Sequence, residues 1–188
     1  SHNTPAPELI KACDEMGMMV MAESFDEWAT AKVQNGYHTV FGEWAEKDIV
    51  NLVRHFRNNP SVVMWCIGNE VPDQWAGDKG PKLSLWLQNI CHREDPTRPV
   101  TQGMDVPGFN YRPFKYIENY KKLPQEIILG SETASTISSR GVYKFPVVRR
   151  SMPKYPDHQS SSYDVEHCGW SNLPEDDFIQ HEDLPYCI

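Results

Sequence analysis

Two glutamates occupy matching positions in the sequence, and their surroundings suit acid chemistry. Glu70 ends the stretch "SVVMWCIGNE" (residues 61–70), and Glu132 ends "EIILGSE" (residues 126–132). In both cases an apolar run is followed by a glycine, one small polar residue and the glutamate. Because short apolar runs of this kind predict buried strands, both carboxylates are expected at the ends of strands.

A pair of carboxylates at strand ends is suited to cleavage of a glycosidic bond. A carboxylic acid protonates the leaving oxygen while an ionised carboxylate, about 5–5.5 Å away in the retaining version, attacks the anomeric carbon. Mutual repulsion raises the pKa of one group, and local hydrogen bonds keep the pKa of the other low. The structural alternative is that each glutamate caps a neighbouring helix or pairs with an arginine.

The elements that must position these glutamates alternate along the chain. The sequence predicts helices over residues 5–16, 42–58, 82–93 and 114–122, and strands over residues 18–23, 61–68, near 100, 108–111 and 126–132. This alternation predicts a parallel sheet with helical crossovers. Glu70 and Glu132 are then three strands apart, and strands with that spacing face each other across the mouth of an eight-stranded barrel.

The segments that carry the two glutamates resemble the signatures of a known family. "SVVMWCIGNE" resembles the acid/base signature of glycoside hydrolase family 2, in particular the β-galactosidases of gut-Bacteroides type, and "IILGSETAS" resembles the nucleophile signature. "SHN", "MVMAESFDEW" and "DPTRPV" resemble other barrel segments of the family. The resemblance implies an α/β fold, an incomplete (β/α)8 TIM barrel with approximately strands 3 to 7, their helices and a long loop leading towards strand 8.

The resemblance also implies roles for individual residues. Glu70 is expected to be the general acid/base and Glu132 the nucleophile. The implied substrate-binding residues are Asn69 at the sugar 2-hydroxyl, Tyr111 beside the nucleophile, His2 at the reaction centre and Glu23 as an acceptor for a sugar hydroxyl. Ordinary structural roles remain open for these four: a turn, a core aromatic, a solvated terminus and an ion pair, respectively.

The implied activity is that of a retaining glycoside hydrolase. It cleaves terminal β-D-galactosides by double displacement through a covalent glycosyl-enzyme intermediate. The alternatives are a β-glucuronidase or β-mannosidase of the same family, or a carbohydrate-binding barrel without catalysis. Binding alone needs neither an acid nor a nucleophile, so the presence of both glutamates argues against the last alternative.

The domain organisation follows from the same resemblance. We expect residues 1–188 to be a fragment of one catalytic TIM-barrel domain, with residues 135–188 as a long loop-rich excursion and with the flanking β-sandwich domains absent. A barrel needs closure to remove its strand edges. The 188-residue chain by itself is therefore expected to be weakly active or inactive.

Composition restricts the cofactors and partners that we expect. The net charge of −8 comes with no basic stripe for nucleic acid, and no apolar run approaches the roughly 20 residues of a membrane span. Where some family members hold a divalent metal with Glu-x-His, this chain has Glu27-Trp28-Ala29, so no cofactor is expected. The expected partner is a β-galactoside oligosaccharide or glycan, and the full-length enzyme is a candidate homo-oligomer. The chain shows no signal peptide, while the resemblance implies a periplasmic or secreted location.

Overall fold

The structure is a computed structural model that describes residues 2–103, 105–110 and 116–132. The chain divides into two compact units, the first extending to Pro107 and the second beginning at Gly108. Two of the sequence predictions, the role of Tyr111 and the excursion over residues 135–188, lie outside the described residues. Among those that are described, no helix is both long and apolar enough to cross a bilayer.

The first unit is a three-stranded parallel sheet with helical crossovers. Its elements are α1 (Pro7–Met16), β1 (Val20–Glu23), α2 (Phe41–Phe56), β2 (Val62–Cys66), α3 (Lys79–Glu94) and β3 (Val100–Thr101). The strands lie in chain order, β1-β2-β3, and both pairings are parallel, as predicted. Strands that follow one another in chain order are typical of a barrel, whereas a doubly wound sheet reverses its order.

The core of this unit lies between the sheet and its helices. Apolar residues at helical spacing place one face of α2 against the strands, and a shorter stripe does the same for α3. The side chains with the least exposure include Trp65, Ile49, Val53, Ile67, Leu87 and Val100. Most side chains of the apolar run before Glu70 are therefore buried in the core, although Val63 is 41% exposed.

The beginning of β1 differs from the prediction. The strand begins at Val20 and not at residue 18, and Met18 and Met19 are 57% and 80% exposed. Gly17 ends α1 with a left-handed φ of 72°, and the backbone N–H of Met18 then donates to the carbonyl of Cys13. Such a C-cap continues the chain at the surface for two residues before pairing starts. The apolar run thus predicted the strand correctly but not its first residue.

A buried carboxylate fixes the amino end of β3. Asp95 accepts hydrogen bonds from Trp65 Nε1 at 3.1 Å, from the backbone N–H of Thr97 at 2.9 Å and from Arg98 at 2.7 Å. Burial raises the pKa of Asp95, but these donors outweigh it and lower the pKa to about 2. The "DPTRPV" segment, which leads into β3, is therefore hydrogen-bonded to Trp65 of β2 through the ionised side chain of Asp95.

The second unit contains a smaller parallel pair. It consists of β4 (Gly108–Asn110), α4 (Tyr116–Lys122) and β5 (Leu129–Glu132). The two strands pair in parallel, with Asn110 opposite Glu132. This is one more strand–helix–strand repeat, as the alternating pattern predicted.

Candidate active site

Glu70 lies in the turn after β2, four residues beyond Cys66, and has an unusual backbone conformation. Its φ is 43°, in the left-handed region that few residues with side chains occupy. Such conformations cost of the order of 1–3 kcal/mol and persist only where the surroundings enforce them. Glu70 is exposed, while the preceding Asn69 is buried with 8% exposure. The carboxylate thus lies at the carboxyl end of a parallel strand, as predicted.

The loop that follows β1 packs against the end of β2. The indole Nε1 of Trp28 donates to the carbonyl of Ile67 at 2.6 Å. Gly68 lies so close that a Cβ atom there would be 2.5 Å from the same Nε1. The glycine in "CIGNE" is therefore needed for the close approach of the indole, and this contact helps to fix the backbone that leads to Glu70.

Asn69 is held by residues of the same loop. Its side-chain Nδ2 donates to Asp26 Oδ1 at 3.1 Å. Lys32 Nζ donates to the backbone carbonyl of Asn69 at 2.7 Å and to the same Oδ1 at 2.8 Å. Neither Asp26 nor Lys32 was predicted as a site residue.

Glu23 and His2 lie close together, in the kind of contact that the ion-pair alternative for Glu23 describes. Glu23 ends β1 and is 5% exposed, and His2 Nδ1 is 3.7 Å from its Oε2. The other carboxylate oxygen, Oε1, is buried without a hydrogen-bond partner within the described part of the chain. Burial raises the pKa of Glu23, and the nearby His2 opposes this only in part. A buried acceptor without a partner is costly, which suits an atom that a ligand hydroxyl satisfies.

Glu27, the first residue of the Glu27-Trp28-Ala29 stretch considered above for a metal site, has a structural role here. Its Oε2 accepts the backbone N–H of Lys32 at 2.6 Å, and its Oε1 accepts that of His38 at 2.7 Å. Both oxygens of Glu27 therefore accept hydrogen bonds from the backbone of the following loop. Among residues 2–103, 105–110 and 116–132, no group of three or more acidic, histidine or cysteine side chains is arranged to hold a metal ion.

Replacing Glu27 by Gln is expected to destabilise the first unit in a pH-dependent way. The amide leaves at least one backbone N–H without an acceptor, which costs about 1–3 kcal/mol. Burial raises the pKa of Glu27, but the backbone donors outweigh it and lower the pKa from 4.5 to about 2. The ionised form stabilises the folded state at neutral pH, and this contribution is lost as the pH falls from about 4.5 to about 2.

The test is to measure the unfolding temperature of the unmodified protein and of Glu27→Gln between pH 7 and pH 2.5. The matched control is Glu43→Gln, because Glu43 is exposed on α2 and forms a surface ion pair with Lys47 one turn later. Its unfolding temperature should follow that of the unmodified protein. A Glu27→Gln deficit of the same size at every pH would contradict the assigned ionisation.

Glu132 ends β5 within a small network of its own. Asn110 Nδ2 donates to Glu132 Oε1 at 3.0 Å, and Ser131 Oγ donates to Asn110 Oδ1 at 2.6 Å. The serine hydroxyl fixes which end of the amide faces the carboxylate. Asn110 stands opposite Glu132 in the parallel register, one residue before the predicted Tyr111. The serine in "LGSE" and the asparagine in "GFNY" were signals for this network.

Parallel strands in chain order, with carboxylates and amides at or just beyond their carboxyl ends, are typical of enzymes built on a (β/α)8 barrel. The family model for the TIM barrel domain of glycosyl hydrolases family 2 matches residues 1–146. The chain therefore belongs to glycoside hydrolase family 2, and its fold is part of a (β/α)8 barrel, as the resemblance implied.

Individual members of the family are similar to the chain over most of its length, and they have different names. The chain is 34% identical to a beta-galactosidase of Bacteroides ovatus over 94% of its length, and 33% identical to a putative beta-glucuronidase of Formosa agariphila over 77%. It covers 27% and 14% of these two proteins. A crystal structure of a beta-glycosidase from Bacteroides vulgatus aligns with a TM-score of 0.65 and 36% identity, over 76% of this chain and 19% of that one. The chain thus spans about a quarter or less of the length of these relatives.

Proposed function

We propose that the chain supplies both catalytic carboxylates of a retaining β-galactosidase. The observation that carries this proposal is that an acidic side chain occurs at the carboxyl end of two parallel strands: Glu132 is the last residue of β5, and Glu70 lies in the turn four residues after Cys66, where β2 ends. Membership of a glycoside hydrolase family supports it, because that family acts on glycosidic bonds. The proposed substrate is a β-galactoside oligosaccharide or glycan.

The proposed reaction has two displacements at the anomeric carbon. In the first, a carboxylate oxygen of Glu132 forms a bond to that carbon, the bond to the leaving oxygen breaks, and Glu70 gives its proton to that oxygen. In the second, Glu70 takes a proton from water, whose oxygen attacks the anomeric carbon as the bond to Glu132 breaks. Configuration is retained because each step inverts it.

The remaining site residues have supporting roles in this proposal. Asn69 binds the 2-hydroxyl of the sugar, where a hydrogen bond strengthens in the transition state. The Oε1 of Glu23, which has no hydrogen-bond partner among the residues that the structure describes, accepts a sugar hydroxyl, and His2 lies beside it. Tyr111 is the substrate-binding residue that we place beside the nucleophile. No metal or other cofactor takes part in any step.

The choice of galactoside over glucuronide rests on two observations. The relative aligned over 94% of the chain is named a beta-galactosidase. A glucuronide also needs a cation for its carboxylate, and the Nζ of Lys32, the lysine that contacts Asn69, is already bound to Asp26 and to the carbonyl of Asn69. β-Glucuronidase is the second candidate because a putative beta-glucuronidase is nearly as identical.

A panel of nitrophenyl β-D-galactoside, β-D-glucuronide and β-D-mannoside tests the proposal. It should be run on the parent polypeptide, meaning the longest natural polypeptide that contains residues 1–188. We expect kcat/KM for the galactoside to exceed the other two by at least about 100-fold, because a site built for specific hydroxyls leaves buried groups unpaired with the wrong sugar. The released sugar should keep its β configuration in an NMR time course.

Two results would contradict the proposal: a preference for the glucuronide, or release of the α-anomer first. The same panel on the 188-residue chain alone tests the domain proposal, that this chain is part of one catalytic barrel. We expect little or no turnover from it. Turnover equal to that of a longer parent polypeptide would contradict that part.

A further inference from the structure

Lys32 binds the peptide group that precedes Glu70. Its Nζ donates to the carbonyl oxygen of Asn69 at 2.7 Å and to Asp26 Oδ1 at 2.8 Å. The same Oδ1 accepts the side-chain Nδ2 of Asn69 at 3.1 Å. One ion pair therefore holds both the backbone and the side chain of Asn69. We call Lys32, Asp26 and Asn69 the Lys32 clamp.

The carbonyl held by Lys32 bears directly on the conformation of Glu70. The carbonyl oxygen of Asn69 belongs to the peptide plane whose rotation about the N–Cα bond of Glu70 defines φ. That φ is 43°, and a residue with a side chain favours negative values. A hydrogen bond from an ionised donor is roughly twice as strong as a neutral one, so it opposes rotation of this peptide towards the ordinary region.

The clamp is itself held in place by the rest of its loop. The backbone N–H of Lys32 donates to Glu27 Oε2 at 2.6 Å. Two residues earlier, the backbone N–H and the hydroxyl of Thr30 each lie 2.9 Å from the carboxylate of Asp73, which is fully buried. The Lys32 side chain is only 21% exposed. It is therefore a pre-organised lysine, unlike one that moves freely in solvent.

We propose that Lys32 and Asp26 are positioning residues for the general acid/base. They hold the Asn69-Glu70 peptide in the left-handed geometry from which Glu70 gives its proton to the leaving oxygen. Lys32 acts through Asn69 and is not assigned any contact with the substrate. The inference rests on the role proposed above for Glu70, and the experiment separates the two.

The test compares Lys32→Met, Lys32→Arg and Asp26→Asn in the parent polypeptide. The substrates are the phenyl and 2,4-dinitrophenyl glycosides of the sugar preferred in the panel. The oxygen of a phenyl leaving group must be protonated as its bond breaks, whereas 2,4-dinitrophenolate leaves without a proton. Misplacing a catalytic group by about 1 Å costs on the order of 100-fold. We expect Lys32→Met to lose about that factor in kcat/KM for the phenyl glycoside and less than about tenfold for the dinitrophenyl glycoside. Lys32→Arg should recover part of the loss.

Two further variants make the outcome decisive. Lys47→Met removes an exposed lysine that pairs with Glu43 on α2, and it should leave both rates unchanged. Glu70→Ala provides the reference for loss of the acid itself. The positioning role would be overturned if Lys32→Met and Asp26→Asn each lost the same factor in kcat/KM on the phenyl and the dinitrophenyl glycoside. It would also be overturned if neither variant lost activity. Both outcomes leave the role of Glu70 intact. If Glu70→Ala shows no dependence on the leaving group, the proposed function fails and the positioning role fails with it. Should Lys32→Met not fold, Lys32→Arg and Asp26→Asn decide the question.

Discussion

Replacing Glu132 by Gln in the parent polypeptide is expected to abolish nearly all turnover. The amide has almost the same shape as the carboxylate but is not a nucleophile, so no bond forms to the anomeric carbon. Removing catalytic groups from a hydrolase that works through a covalent intermediate costs on the order of 10⁴- to 10⁶-fold in kcat. The measurement is kcat on the nitrophenyl galactoside, together with the Kd of an inert galactoside, which should change by less than about tenfold.

The matched control for this substitution lies in the same unit. Glu118→Gln makes the identical change at a side chain that is 59% exposed on α4 and pairs with Lys122. It should leave kcat unchanged. A 2-deoxy-2-fluoro-galactosyl fluoride should label the unmodified protein at Glu132 and should not label Glu132→Gln. A label on another residue, or a Glu132→Gln rate within tenfold of the unmodified protein, would rule out Glu132 as the nucleophile.

Much of the fold was predictable because apolar periodicity reports burial. The run before Glu70 corresponds to β2, and the helical stripes correspond to α2 and α3. The run before Glu132 was predicted as a buried strand from residue 126, but β5 begins at Leu129, its residues are partly exposed, and Ile127 is 50% exposed. The errors lie at element ends, where local capping decides. At Met18 the C-cap at Gly17 delays the strand, and α3 begins at Lys79 rather than at residue 82, because Gly80 and Pro81 fit the first helical turn and do not precede it.

The strand-end glutamates were predictable for the same reason, but their supporting residues were not. Asp26 and Lys32 contact Asn69 across 43 and 37 positions of sequence, and no periodicity connects residues at such separations. Asn110 was closer to being predictable, because it lies in the quoted "GFNY" segment. Its role depends on parallel register with Glu132, which is a property of the paired strands and not of either segment alone.

The backbone of Glu70 also lies beyond what the sequence pattern predicts. A left-handed φ is ordinarily a place for glycine or asparagine, and the sequence has Gly68 and Asn69 immediately before it. Glu126 and Gln102 also have a left-handed φ, at 51° and 59°, so the conformation of Glu70 does not by itself indicate a catalytic role. Gly68 is instead required by the indole of Trp28, which leaves no room for a Cβ atom.

Replacing Glu70 by Ala in the parent polypeptide is expected to give a loss that depends on the leaving group. General acid catalysis contributes about 10²- to 10⁴-fold, and it matters only where the departing oxygen needs a proton. We therefore expect kcat/KM to fall by that factor for the phenyl galactoside and by less than about tenfold for the 2,4-dinitrophenyl galactoside.

Sodium azide separates a missing acid/base from a generally damaged site. The second displacement needs a base to take a proton from water, whereas azide attacks the anomeric carbon without one. With Glu70→Ala, azide should raise kcat for the dinitrophenyl galactoside and yield the β-galactosyl azide, since both displacements at that carbon then occur in order. With Glu132→Gln it should give no β-azide, because the first displacement never takes place. Equal loss on both substrates together with no response to azide would show that Glu70 shapes the site without transferring a proton.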